Sequence, residues 1–321
     1  MTRYSPLATP AATRTYLETW GLYTKKSLGQ HFLIDDGVVG RILACADVKE
    51  GDSIIEIGPG IGTLTIALLA HGATVCAIEK DINLLKPLAN LFEQEKGFSL
   101  IAADALDRGK VVKDLPFLAK TPIKLVANLP YAVAATIVLD YFEHFTALSS
   151  ATVMVQKEVA ERMMAQPGTK NYGAYTVKLR MLASPKSSFS VSRTSFLPPP
   201  RVDSTVIRLE RYAVIPKGKE ASSSGVSANG QPCKNGQPGT RFIMTPELYH
   251  ATSFIVDAAF AQRRKTIRNS MRAYFLEHNR DADLVDELLI QGCINPACRG
   301  ETLDLESFLT LGNLFIVQKI N

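Results

Sequence analysis

The sequence predicts an α/β protein, a mostly parallel sheet with helices on both faces, followed by a small all-α C-terminal domain. Three observations predict it. Short apolar runs alternate with helical segments through roughly the first half of the chain, the pattern of βαβ units. A glycine cluster, Gly58-Pro59-Gly60-Ile61-Gly62, stands where one such run ends and a helical segment begins. Residues 241–321 read as helices alone.

The chain has 321 residues, a length that suits two domains. It is 46% hydrophobic and 21% charged, which excludes collagen-like and wholly disordered chains. No run approaches the ~18 apolar residues of a membrane span. The N-terminal MTRYSPLATPAATR has no apolar signal core. The expectation is an intracellular protein with no membrane partner. Five cysteines (Cys45, Cys76, Cys233, Cys293 and Cys298) form no C-x-x-C pair. That argues against a disulfide scaffold or a four-cysteine zinc site, so reduced thiols and no metal are expected. The net charge of +5 is mild, so a basic surface would have to be local.

Taken in order, residues 1–24 form a lead-in. SIIEI at 53–57 is a strand stopped by the glycines, and 62–71 suits a helix. TVCAIE at 74–79 is a second strand, and 81–94 a second helix. FSLIAAD at 98–104 and IKLVAN at 123–128 are further strands. A helical segment at 133–145 precedes the strand ATVMVQ at 151–156. SSFSV at 187–191 and STVIRLERY at 204–212 have no helix between them, so a late antiparallel edge is expected. Residues 216–240 are rich in Gly, Ser, Pro and Asn and hold no aromatic residue. Such a run buries too little apolar surface to order itself, and reads as a flexible linker. The organisation is thus a lead-in at 1–24, a sheet domain at 25–212, a linker at 213–240 and a helical domain at 241–321. Within the last, 247–275 holds one or two helices. Residues 281–292 start with acids and end at Gly292, which matches helix polarity, and 303–318 supplies another helix.

The glycines Gly58 and Gly60 allow a tight turn and let a ligand approach without a Cβ in the way. Glu79 ends the next strand, 21 residues after Gly58, where a carboxylate can accept bonds from both ribose hydroxyls. Asp104 ends the third, where it could receive an adenine amino group. Three strand ends converging on one crevice favour an adenosine-type cofactor without a phosphate tail, namely S-adenosylmethionine.

The fourth strand runs into Asn128-Leu129-Pro130-Tyr131. An exocyclic aromatic amine is a poor nucleophile because its lone pair is delocalised into the ring. The Asn128 side-chain oxygen and a nearby backbone carbonyl can accept its two N–H groups and draw the nitrogen towards tetrahedral geometry. Pro130 stiffens the turn that holds these acceptors. Tyr131 offers a ring face for the base, and Phe196, beside Pro198-Pro199-Pro200, is expected to close the other side.

These stretches, with KKSLGQHFLID at 25–35, QKEVAER at 156–162, PGTKNYG at 167–173, SFLPPPRVDS at 195–204 and FAQRRKTIRN at 260–269, resemble the ribosomal RNA adenine dimethyltransferases of small-subunit, 16S-type rRNA. The resemblance covers nearly the whole chain. It implies a Rossmann-like class I sheet that binds S-adenosylmethionine through His31, Leu33, Gly58, Glu79, Asp104 and Asn128. It also implies four methyl transfers, two to N6 of each of two adjacent adenosines near the rRNA 3′ end, within an immature 30S-type subunit; the lead-in is most similar to bacterial members, which favours the cytoplasm, and a monomer is the default expectation. Many members carry Asn where this chain has His31. Imidazole changes charge near neutral pH, so cofactor affinity is expected to vary with pH.

Between Asp257 and Glu277 there is no acid but five bases, Arg263, Arg264, Lys265, Arg268 and Arg272. On one helix Arg264, Arg268 and Arg272 would share a face, and a phosphate backbone would relieve their repulsion. These five are the expected RNA-binding residues. Three alternatives share the fold: a large-subunit (23S) rRNA adenine methylase of the antibiotic-resistance type, a DNA adenine methyltransferase, and a non-catalytic ribosome assembly factor. FAQRRKTIRN and PGTKNYG argue against the first, N-L-P-Y against the second, and intact Glu79, Asp104 and Asn128 against the third.

Overall fold

The structure, a computed structural model, describes residues 3–23, 30–107, 115, 122–212 and 243–320. The predicted linker at 213–240 and the stretch Lys25–Gly29 lie outside them.

The chain starts with α1 (Pro10–Thr19), which the local sequence signals: Thr9 caps it by accepting from the Ala12 N–H, and Pro10 sits where no N–H is needed. Then come β1 (Phe32–Leu33) and α2 (Asp36–Ala46), the latter capped by Asp35. There follow β2 (Ser53–Ile57), α3 (Thr63–Ala70), β3 (Thr74–Glu79), α4 (Ile82–Leu91), β4 (Phe98–Ala102), β5 (Ile123–Asn128), α5 (Ala134–His144) and β6 (Leu148–Gln156). Next are α6 (Lys157–Met164), α7 (Ala174–Leu182), β7 (Ala183–Val191), β8 (Phe196–Leu197) and β9 (Ser204–Arg211). Four helices end the chain: α8 (Pro246–Phe260), α9 (Ile267–Glu277), α10 (Leu284–Gln291) and α11 (Leu305–Ile320).

Seven strands form one sheet in the order β4-β3-β2-β5-β6-β9-β7. The first five are parallel, and β9 runs antiparallel to β6, which bears out the expected late antiparallel edge. Strands β2, β3 and β5 have the predicted bounds, while β4 stops two residues early and β6 starts three residues earlier. The order reverses between β2 and β5. In such sheets the crevice outside the carboxyl ends at that reversal receives the ligand. Helices α1, α2, α6 and α7 were not anticipated. The caps Thr9-Pro10 and Asp35 were the signals available for the first two.

Two compact units divide the chain. The first comprises Met1–Ala160 and Ser184–Arg211, the second Glu161–Ala183 and Tyr212–Asn321. The expected boundary at 212 therefore needs correcting, because 161–183 group with the C-terminal helices. Tyr172 and Val177 share a buried apolar cluster with Ile255, Met271, Phe275 and Phe308. The Tyr172 hydroxyl donates to the Leu303 carbonyl at 2.9 Å, and Lys178 pairs with Asp257 at 2.7 Å.

In the second unit α8 and α11 cross closely. A Cβ on Gly312 would lie 2.0 Å from Thr252 Oγ1 and 2.9 Å from its Cα. Gly312→Ala must force the helices apart, and overpacking of this kind costs about 1–3 kcal/mol. Chemical denaturation should show that loss, whereas Gly168→Ala, which meets no neighbouring atom but has a φ of +80°, should cost about 1 kcal/mol from backbone strain alone.

No helix among the described residues is long and apolar enough to cross a membrane, and no group of metal-ligating side chains is found among them. Cys45, Cys76 and Cys298 are free thiols. Cys293 is disulfide-bonded, which departs from the expectation of reduced thiols throughout.

Candidate active site

A cavity of about 530 Å³ opens at the carboxyl ends of β2, β3, β4 and β5 in the first unit. His31, Leu33, Gly58, Gly60, Glu79, Asp104, Asn128, Leu129, Pro130 and Tyr131 all line it. Each arrives by a local rule of the fold. A parallel strand ends at the same side of the sheet as its neighbours, so polar residues at successive strand ends converge.

The glycine turn makes the approach possible. Gly58 and Gly60 have φ of +67° and +62°, a region that costs other residues strain. A Cβ on Gly60 would also lie 3.3 Å from the Phe32 ring.

Glu79 is almost fully buried, and its Oε1 accepts the Asp81 N–H at 2.8 Å. Burial pushes its pKa up, while the N–H groups of Asp81, Gly60 and Lys80 pull against that rise. Asp104 is more exposed. The Lys80 ammonium, 2.7 Å away, and the Leu106 N–H hold its carboxyl below the usual range. It therefore stays an acceptor at neutral pH.

Asn128 Nδ2 donates to the His31 carbonyl at 3.2 Å. A carbonyl can only accept, so this contact sets the amide orientation and leaves Oδ1 as the accepting atom. His31 Nδ1 lies 2.8 Å from the Pro198 carbonyl and by the same logic carries the hydrogen. The imidazole stacks on Tyr131, with centroids 5.6 Å apart and planes 23° from parallel. The Tyr131 hydroxyl bonds Ser204 Oγ at 2.6 Å.

Phe196 is a correction. It is 1% exposed and lies in the core among Val38, Val39, Val191 and Val206. Its backbone pairs with Leu33 in a two-stranded β1–β8 ladder, and it does not line the cavity. The proline-rich loop works through its main chain instead, since Pro198 holds His31. The ring stacked on Tyr131 is His31.

The five expected RNA-binding residues lie in the second unit, and they are not one helical stripe. Arg263, Arg264 and Lys265 fall in the turn before α9, whereas Arg268 and Arg272 lie on it. Arg268 and Arg272 both pair with Asp286, and Arg272 also with Asp283. Arg263 pairs with Glu301 and donates to the Lys170 carbonyl. The acids missing from the local sequence thus come from α10, from its approach and, for Arg263, from Glu301 ahead of α11. Arg264 and Lys265 are exposed and, among the described residues, show no ion pair.

Gln30, Glu56 and Thr63 are among the cavity residues that the sequence did not mark as site residues. Gln30 donates to Asp81 at 2.8 Å. Glu56 accepts from the Thr65 hydroxyl at 2.6 Å, and burial pushes its pKa up to about 8. Glu56 and Thr63 flank the glycine turn in sequence, which was the available signal.

A sheet of this order, with a glycine turn after β2, an acid ending β3 and another two residues beyond β4, defines a class I methyltransferase. The glycine cradle, which a Cβ on Gly60 would crowd, and the acceptors Glu79 and Asp104 fit an adenosine-type methyl donor, and the cofactor is S-adenosylmethionine. The profile of the ribosomal RNA adenine dimethylase family matches residues 21–222, and the chain belongs to that family. A ribosomal RNA small subunit methyltransferase A of Enterococcus faecalis is 33% identical over 98% of this chain and 97% of its own length. The protein of the same name from Corynebacterium jeikeium is 36% identical over 94% of each chain. A dimethyladenosine transferase from Plasmodium falciparum has a similar fold, with a TM-score of 0.67 at 23% identity, covering 90% of this chain and 98% of that one. The 23S rRNA methyltransferase ErmE gives 0.57 at 21%, covering 88% and 98%.

Proposed function

We propose that this protein dimethylates N6 of two adjacent adenosines near the 3′ end of small-subunit rRNA, acting as a monomer on an immature 30S-type subunit. On this reading it works in the cytoplasm. One observation carries the proposal: Glu79, Asp104 and Asn128, from three strand ends, line a single cavity, with the Asn128 amide already oriented.

Bound S-adenosylmethionine supplies an electrophilic methyl group. Glu79 is the acceptor for ribose hydroxyls, and Asp104 for the adenine amino group. Asn128 Oδ1 accepts one N–H of the target amine, which frees the nitrogen lone pair for in-line attack. Tyr131 presents its ring to a base taken out of its stack. No strong base is needed, since the alkylated nitrogen loses its proton readily. Names shared with small-subunit relatives over nearly full length favour this target over large-subunit rRNA.

Labelled S-adenosylmethionine and small subunits from cells lacking the activity test the proposal, with large subunits and duplex DNA as controls. Labelled dimethyladenosine should appear from small subunits alone. Label in large subunits would instead support the resistance-type methylase. Absence of transfer with cofactor binding intact would support an assembly factor.

The RNA surface we assign to Arg264 and Lys265 within the predicted five. The pairs made by Arg268 and Arg272 already neutralise much of their charge. Arg264→Ala with Lys265→Ala should weaken rRNA binding and reduce the slope of log K against log salt by about two. Arg268→Ala should change that slope less. The reverse order in a filter-binding salt titration would move the surface onto α9.

A further inference from the structure

The run SFLPPPRVDS at 195–204 gives the base no ring to stack on, because Phe196 is buried in the core. Two of its residues nevertheless meet at one side chain, Tyr131. Ser204 opens β9 and pairs with Gln156, the last residue of β6. Just before it, the Asp203 carbonyl accepts the Lys157 N–H at 3.1 Å, and the Asp203 carboxylate accepts the Arg193 N–H at 3.0 Å. The backbone that carries Ser204 is therefore fixed. Ser204 is fully buried, and its Oγ bonds the Tyr131 hydroxyl at 2.6 Å. Earlier in the run, the Pro198 carbonyl accepts from His31 Nδ1, and the imidazole stacks on the Tyr131 ring. The run thus holds Tyr131 twice, at its hydroxyl directly and at one ring face through His31. Tyr131 lines the cavity, whereas Ser204 is not among the described residues that do. A tyrosine ring turns about two side-chain bonds. A hydroxyl tied to a buried strand residue and a face covered by a second ring restrict both before any base arrives, and such preorganisation sets how well a reacting group is aimed.

We propose that Ser204 is a positioning residue for the target base: its hydroxyl fixes the plane of Tyr131, and the base stacks on the face away from His31. This rests on the methyl-transfer reading above. Ser204 touches neither base nor cofactor and acts through the Tyr131 hydroxyl.

A double-mutant cycle tests it, read as the single-turnover rate of methyl transfer to small subunits at saturating S-adenosylmethionine. Ser204→Ala should lower that rate about 3- to 10-fold, the factor that one hydrogen bond carries. Tyr131→Phe keeps the ring, drops the hydroxyl, and should lower the rate to the same level. Both changes remove one and the same bond, so the double variant should be no slower than either single one. Independent roles would instead multiply, to about 10- to 100-fold. S-adenosylhomocysteine affinity, measured by calorimetry, should match the wild type in all three variants. A wild-type rate in Tyr131→Phe, or multiplied losses, would overturn the assignment. So would a loss of S-adenosylhomocysteine affinity parallel to the loss of rate, which would make the pair a support of the cavity wall. Should Ser204→Ala fail to fold, Tyr131→Phe alone decides by the same rate and affinity. Absence of transfer in the wild type would overturn the methyl-transfer reading, and the inference with it.

Discussion

Asn128→Ala should lower the rate of methyl transfer about 10²- to 10³-fold at saturating cofactor, the loss expected when one preorganised acceptor is removed from the reacting centre. The physical reason lies in the two ends of one amide. Nδ2 is engaged by the His31 carbonyl, which turns Oδ1 into the accepting atom without reorganisation during the reaction. Alanine removes both. The lost bond to His31 costs about 1 kcal/mol of stability, too little to unfold the unit, so thermal unfolding should stay cooperative and nearly unshifted. Single-turnover transfer to small subunits, with cofactor well above its dissociation constant, separates chemistry from binding. A near-normal rate in the variant would refute the role of Asn128 Oδ1 as acceptor for the target amine.

Glu56→Gln should stabilise the cofactor-free protein, and increasingly so as pH rises. Glu56 is 2% exposed, and its pKa is pushed up to about 8 because burial disfavours the charged form. In the unfolded chain it ionises near 4.5. The folded state thus binds the proton more tightly, and the unfolded state gains from releasing it as pH rises. The group costs nothing below about 4.5, costs more through the interval up to about 8, and is constant above that. The shift corresponds to an upper bound of about 5 kcal/mol at high pH. Glutamine mimics the protonated acid, with a carbonyl to accept from the Thr65 hydroxyl and an amide to donate. Melting temperatures at pH 5, 7 and 9 should show the gap between variant and wild type widening with pH. A constant gap, or a variant less stable at pH 9, would mean that Glu56 is ionised in the folded protein.

Sequence brought residues to one cavity where position is set by neighbours in the chain. Gly58 and Gly60 stand at a strand-to-helix junction, and Glu79, Asp104 and Asn128 are placed by strand length and parallel order alone. Their convergence needs no knowledge of long-range contacts beyond the sheet. Sequence misled where a residue's role depends on what meets it from elsewhere. Phe196 looked like a rigid loop aromatic, yet pairing of its main chain with Leu33 turns the ring into the core. Arg268 and Arg272 looked unpaired until Asp286 and Asp283 arrived from α10 and its approach. Arg264 looked helical, but Thr266 caps α9 two residues later.

From sequence alone, then, follow the alternating α/β class, the carboxyl-end crevice and the cofactor type. Only the tertiary structure decided that 161–183 group with the C-terminal helices, that His31 is the ring against Tyr131, which arginines keep their charge free, and that Ser204 holds the Tyr131 hydroxyl. The division has one cause. Backbone conformation and strand-end position are written in local residue order, whereas burial and charge pairing depend on which distant segments pack together.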